Sequence, residues 1–282
     1  MFNFAKAKEN AQKDLNNKTV GAIVLGAPGA GKSTFCGTAG ETTLYLYGGA
    51  ESHGPSAASS GGHGNITSIQ IDRDDDGKIL PADGAYSRLL AVLSDASGIN
   101  ELGVKVIVLD SLTEIESIIR GTTKWKRDCE SASGKHNSFA EPTATINMFR
   151  PILSALRDLA LDHGIHYAAT CPLMVQALGD DGQIAEAAPK LSGYSVAESL
   201  IMQFPDVLVV GRMVRNDKQV FALQFNAGVS KVSKDATGNV KKIASFNPRI
   251  TGIRDLPEVL PANLAQLIAG KEKGSFNVKA KA

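Results

Sequence analysis

Aromatic residues make up only 6% of this 282-residue chain, tryptophan occurs once, and there are three cysteines. Cys36, Cys129 and Cys171 are widely separated and odd in number, which argues against both a disulfide framework and a zinc site. No apolar run approaches the roughly 20 residues that a bilayer-crossing helix needs, so no membrane association is expected. Residues 1–18 are polar and lysine-bearing, without an apolar centre or a small-residue cleavage site. They do not read as a secretory signal, and a cytoplasmic location is expected. A dominant charge is missing too: the formal net charge is +1, so binding to any polyanion must come from local patches. What is present is globular, with 43% hydrophobic and 21% charged residues, enough for one large domain with a substantial core.

Short β-rich runs alternate with helical stretches: Val20 to Leu25, Thr43 to Tyr47, Ile66 to Ile71, Val104 to Leu109 and Ile165 to Thr170. That alternation predicts an α/β fold, a mostly parallel sheet flanked by helices. A helix is expected over Ile146 to His163, where Ile146, Phe149, Ile152, Leu153, Leu156 and Leu159 recur near helical spacing and Gly164 is a stop. Asp206 to Val214 and Gln219 to Phe225, separated by a polar turn, predict an antiparallel hairpin at the sheet edge, followed by an extended segment at Lys241 to Phe246. Pro257 to Ala269 reads as a terminal helix. The expected organisation is a polar arm over 1–18, one domain over 19–270 and a flexible basic tail over 271–282. Gly48 to Gly64 and Thr122 to Glu141 read as loops.

Gly26-Ala27-Pro28-Gly29-Ala30-Gly31-Lys32-Ser33-Thr34 satisfies G-x-x-x-x-G-K-[ST] directly after the first apolar strand. Glycines allow backbone N–H groups to close around phosphates, and the following helix offers them its positive end. Lys32 is placed to reach the β- and γ-phosphates, and the Ser33 hydroxyl to ligate Mg²⁺. The strand ending at Asp110 has the form of a Walker B strand, whose aspartate holds Mg²⁺ directly or through water. Ser111 follows it, so the catalytic base of an Asp-Glu pair is missing there.

In these motifs the chain resembles the RecA-like recombinase ATPases, and among them the compact phage single-strand-annealing ATPases of the Sak type. The resemblance runs in motif order from Val20 to Phe225, and more faintly to Ile268, including Pro189-Lys190-Leu191-Ser192-Gly193. It implies a RecA-like P-loop core, ATP and Mg²⁺ as cofactors, and a phage origin with the host cytoplasm as location. Leu44-Tyr45-Leu46-Tyr47-Gly48-Gly49-Ala50-Glu51 matches the family pattern of strand, small residue, Ala and Glu, which makes Glu51 the residue that orients or deprotonates water. Thr170 falls at the end of the family's sensor strand, where a polar residue touches the γ-phosphate. The family often has His or Gln there, and here Cys171-Pro172 follows.

The resemblance also implies self-association into a ring or filament, single-stranded DNA as a partner and a single-strand-binding protein as a further one. Its two DNA-facing loops correspond to Thr122 to Glu141 and Leu173 to Ser192. The first carries Lys124, Trp125, Lys126, Arg127, Lys135 and His136, cations beside the sole tryptophan, as phosphate contact and base stacking require. The ordinary reading of that segment is a solvated loop with Trp125 packed back on the protein. The second is acidic at Asp180, Asp181 and Glu186, which suits a hairpin or a subunit contact better. Lys231 and Lys234 resemble the family's trans-acting lysines, with Arg212 and Arg215 as second choices. A decoy lies at Asp72 to Asp83, which opens like an EF-hand calcium loop; Pro81, the closing Asp83 and the preceding strand favour a solvated acidic turn. The rival readings are a motor or switch on the same scaffold, helicase-like, packaging-related or regulated by a protein partner, and a nucleotide-binding scaffold that does not turn over.

Overall fold

The computed structural model describes residues 19–60, 65–178, 184–215, 218–225, 233–234, 240–241 and 264–273. Six parallel strands form its sheet: β1 (Gly21–Gly26), β2 (Thr43–Tyr47), β3 (Ile66–Gln70), β4 (Val106–Asp110), β5 (His166–Leu178) and a strand at Asp206–Arg215. Between β5 and that last parallel strand lies β6 (Ile184–Pro189), so the parallel strand at Asp206–Arg215 is β7 and β8 (Lys218–Phe225) follows it. The sheet order is β3-β2-β4-β5-β1-β7-β8, with β8 antiparallel to β7 and β6 antiparallel to the outer half of β5. This is the mostly parallel α/β sheet flanked by helices that the alternating pattern predicts.

The central strands β1 and β4 are buried on successive residues because both faces are covered, whereas edge strand β3 is only partly buried. On one face Ile23, Leu25, Leu44, Leu46, Ile107 and Leu109 join a core with the helices α3 (Ala82–Ser94), α5 (Leu112–Gly121), α7 (Glu141–His163) and α8 (Tyr194–Ile201). On the other face Val24, Tyr45, Val108 and Ala168 meet Phe35 and Cys36 of α1 (Lys32–Cys36), Ala58 of α2 (Gly54–Ser60), and Leu264, Leu267 and Ile268 of α9 (Leu264–Lys273). Leu264 N–H donates to Thr38 Oγ1 at 2.8 Å, which ties α9 to the end of the P-loop helix. Two short helices complete the order, α4 (Ala96–Glu101) and α6 (Thr123–Asp128). At the amino edge of the sheet, Val20 N–H donates to His166 Nδ1 and Gly21 N–H to Asp206 Oδ2.

Several segments differ from the sequence expectation. Gly48 to Gly64 is not simply a loop: a 3-10 turn at Gly49–Glu51 leads into α2, whose small residues pack against the P-loop helix. Thr122 to Glu141 contains α6, capped by Thr122, and a turn held by the Glu130–His136 bridge. β5 runs to Leu178, well past Thr170, because β6 supplies a hydrogen-bonding partner beyond the sheet edge. α7 begins at Glu141, five residues before the expected start at Ile146, and α9 includes Lys271 to Lys273 of the expected tail. Residues 1–18 and 274–282 lie outside the described residues, as do most of the segment Lys241 to Phe246 and the first part of the expected helix from Pro257. Among the described residues no helix is long and apolar enough to cross a membrane.

Candidate nucleotide site

The carboxyl ends of β1, β2, β4 and β5 converge on one edge of the sheet, where α/β folds place their ligands. The loop after β1 turns through Gly29 (φ 72°) and Gly31 (φ 93°), left-handed conformations that favour glycine. Ala27, Pro28 and Gly29 are exposed and Ala30 is buried, so the loop presents its backbone outward from an anchored base. Lys32 Nζ donates to Gly26 O at 3.1 Å and Ala27 O at 3.2 Å, folded across the loop it would leave to meet phosphates. Burial lowers the Lys32 ammonium pKa, while Asp110 and Glu51 act in the opposite direction.

Asp110 ends β4 and is 2% exposed. Its Oδ2 accepts from Ser33 Oγ at 2.8 Å and from the Tyr45 hydroxyl; its Oδ1 accepts from Thr170 Oγ1. Gly54, the first residue of α2, lies against this group: a Cβ there would stand 2.6 Å from Asp110 Oδ2 and 3.0 Å from the Tyr45 hydroxyl. The Asp110–Ser111 peptide bond is cis. Ser111 caps α5, accepting from Glu114 N–H at 3.4 Å, and its hydroxyl donates to Glu51 Oε1 at 3.1 Å. Glu51 is half-buried at the end of the 3-10 turn, and Gly49 N–H holds that turn to Asp72 Oδ2 at 3.1 Å. Burial and then the Asp110 carboxylate push the Glu51 carboxyl above its ordinary value, against smaller pulls from Ser111 and Lys32.

Lys32, Ser33, Asp110 and Glu51 are therefore brought together at this edge of the sheet. The hydroxyl and carboxylate oxygens of Ser33 and Asp110 are hard donors of the kind Mg²⁺ takes, so the residues present fit that ion. Thr170 lies beside Asp110, one strand over. It is fully buried and its hydroxyl donates to Asp110 Oδ1. Ser111, Tyr45 and Gly54 were not read as site residues. The available signal for Tyr45 was period two: Tyr45 shares a strand face with Thr43 and Tyr47, opposite Leu44 and Leu46. Burial pushes the Cys36 thiol well up and the Cys171 thiol to about 12, so neither is a nucleophile near neutral pH.

The basic segment after α5 is corrected at its centre. Trp125 is 5% exposed, its Nε1 donates to Thr145 Oγ1 at 2.9 Å, and the Arg120 guanidinium lies 4.9 Å from its ring centroid. Its ring has no face free for a base, and the ordinary reading of that residue holds. Trp125→Ala should cost about 3–5 kcal/mol of stability, read as a lower urea midpoint. Lys124 pairs with Asp128 at 2.5 Å and His136 with Glu141 at 2.7 Å, while Lys126, Arg127 and Lys135 are exposed. The exposed aromatic here is Phe139, at 93%. In the acidic turn, Asp74 accepts the N–H groups of Asp76 and Lys78, and Asp83 accepts the Thr123 N–H and hydroxyl, so these carboxylates serve the chain itself. Lys231 and residues 179–183, with Asp180 and Asp181, lie outside the described residues; Lys234 lies in the two-residue strand β9 (Ser233–Lys234), paired with β10 (Val240–Lys241).

No protein-family model matches the chain, and no curated protein matches it. Among solved structures it is similar to a KaiC-like protein from the hyperthermophilic archaeon Pyrococcus horikoshii, with a TM-score of 0.40 and 14% identity. The likeness covers 74% of this chain and 79% of that one, and is one of fold alone.

Proposed function

We propose that this chain binds Mg²⁺-ATP at Gly26 to Thr34 and hydrolyses it to ADP and phosphate, as a RecA-like ATPase that couples the nucleotide to single-stranded DNA binding, annealing or recombination. The observation that carries the reading is the junction of three motifs at one sheet edge: Ser33 Oγ lies 2.8 Å from Asp110, and Ser111 links that strand end to Glu51 at 3.1 Å. Lys32 and the loop N–H groups bind the phosphates, and Ser33 and Asp110 hold the metal. Mg²⁺ supplies neutralisation of phosphate charge when bound. Glu51, with its raised pKa, orients water and accepts its proton. By the resemblance, assembly into a ring or filament adds a cation from the neighbouring subunit, with Lys231 and Lys234 as candidates.

The surface for single-stranded DNA in this reading is Lys126, Arg127 and Lys135 for phosphates and Phe139 for a base. Phosphate release should rise on adding single-stranded DNA, and the rise should shrink at higher salt. Phe139→Ala should weaken DNA binding by roughly 5- to 150-fold, from ~1–3 kcal/mol of stacking, with the DNA-free rate unchanged. The burial of Trp125 and the pairing of Lys124 favour a second reading, a switch regulated by a protein partner. Hydrolysis indifferent to DNA at every salt concentration would move the assignment there.

A further inference from the structure

We propose that Tyr45 is a positioning residue for divalent-cation binding, its hydroxyl aiming the Asp110 carboxylate toward Ser33. This rests on the Mg²⁺-ATP reading of the site. Hydroxyls from three separate elements meet on that carboxylate: Ser33 from the P-loop helix and Tyr45 from β2 on Oδ2, and Thr170 from β5 on Oδ1. A carboxylate has about four lone-pair sites, so three donors fix its rotation and leave an acceptor site for a metal or a metal-bound water.

Tyr45 is fully buried, and its ring packs among Val24, Phe35, Val106 and Val108. A phenylalanine would fill the same space, and a buried hydroxyl is costly without a partner. The partner it has is the metal-holding aspartate. Gly54 lies against the same oxygen, where a Cβ would stand 2.6 Å from Asp110 Oδ2. Tyr45 thus has the role of an outer partner that orients a metal ligand without touching the metal.

The test is equilibrium binding of ATP to the full chain in Mg²⁺ and in EDTA, for the wild type, Tyr45→Phe and Gly54→Ala, with a melting curve for each. Tyr45→Phe should lose roughly 10- to 100-fold of affinity in Mg²⁺ and none in EDTA. Gly54→Ala, which crowds the same oxygen, should lose affinity in the same metal-dependent way and serves if the first variant does not fold. A wild-type response to Mg²⁺ in both variants would overturn the proposal, and so would an equal loss in EDTA, which marks a purely structural role. A wild type with equal affinity in Mg²⁺ and EDTA would instead overturn the Mg²⁺-ATP reading, and this proposal with it.

Discussion

Glu51→Gln is expected to cut phosphate release by roughly 10²- to 10⁴-fold, the range that a positioned general base contributes, while ATP still binds. Glutamine keeps the oxygen that accepts from Ser111, so the 3-10 turn and the cap of α5 should stay in place. It removes a half-buried charge beside Asp110, whose presence already pushes the Glu51 carboxyl upward. The variant should therefore melt no lower than the wild type near neutral pH, giving opposite signs for activity and stability. The pH profile gives an independent check. A base works only when deprotonated, and a raised pKa moves its protonation to higher pH, so kcat/KM should fall on acidification above the ordinary glutamate range. Burial, Asp110 and Glu114 raise that pKa, and Ser111 and Lys32 oppose them. The acidic limb should vanish in Glu51→Gln; the same limb in the variant would assign it to another group.

Asp110→Ala should be damaging twice over. It removes the carboxylate proposed to hold the metal, and loss of several kcal/mol of metal stabilisation corresponds to roughly 10³-fold or more in hydrolysis. It also leaves the buried hydroxyls of Tyr45 and Thr170 without their acceptor. At about 1–3 kcal/mol for each stranded group, the variant should lose roughly 2–6 kcal/mol by urea denaturation. Asp110→Asn retains one acceptor oxygen and should recover part of the stability but not the response to Mg²⁺. Equal stability of Asp110→Ala and the wild type would mean that the two buried hydroxyls do not depend on the carboxylate.

The parts of the site legible in the sequence are those encoded locally. The P-loop is one continuous stretch whose glycines and lysine each have a local task, and Asp110 marks the end of an apolar strand. Glu51 was singled out only through the resemblance, whose pattern of strand, small residue, Ala and Glu falls on the short stretch after β2. The parts that were not legible depend on contacts far along the chain. Trp125 looked available among its cations, but α6 turns it inward to Thr145, twenty residues later. Thr170 ends the expected strand, yet β5 continues with β6, and the Thr170 hydroxyl faces Asp110 across the sheet edge. α2 is composed of Gly, Pro, Ser and Ala and carries no apolar periodicity. Its fold follows from close packing on the P-loop helix, and Gly54 is where it comes nearest the Asp110 carboxylate.

The central claim is that Gly26 to Thr34, Asp110 and Glu51 form one ATP-hydrolysing site. Its most direct test is single-turnover phosphate release with protein in excess of ATP, a condition that also favours assembly, for the wild type and Lys32→Ala in Mg²⁺ and in EDTA. Release by the wild type in Mg²⁺, falling by at least about 10²-fold in EDTA or with Lys32→Ala, is the predicted result. A wild type that releases phosphate no faster than Lys32→Ala would contradict the account.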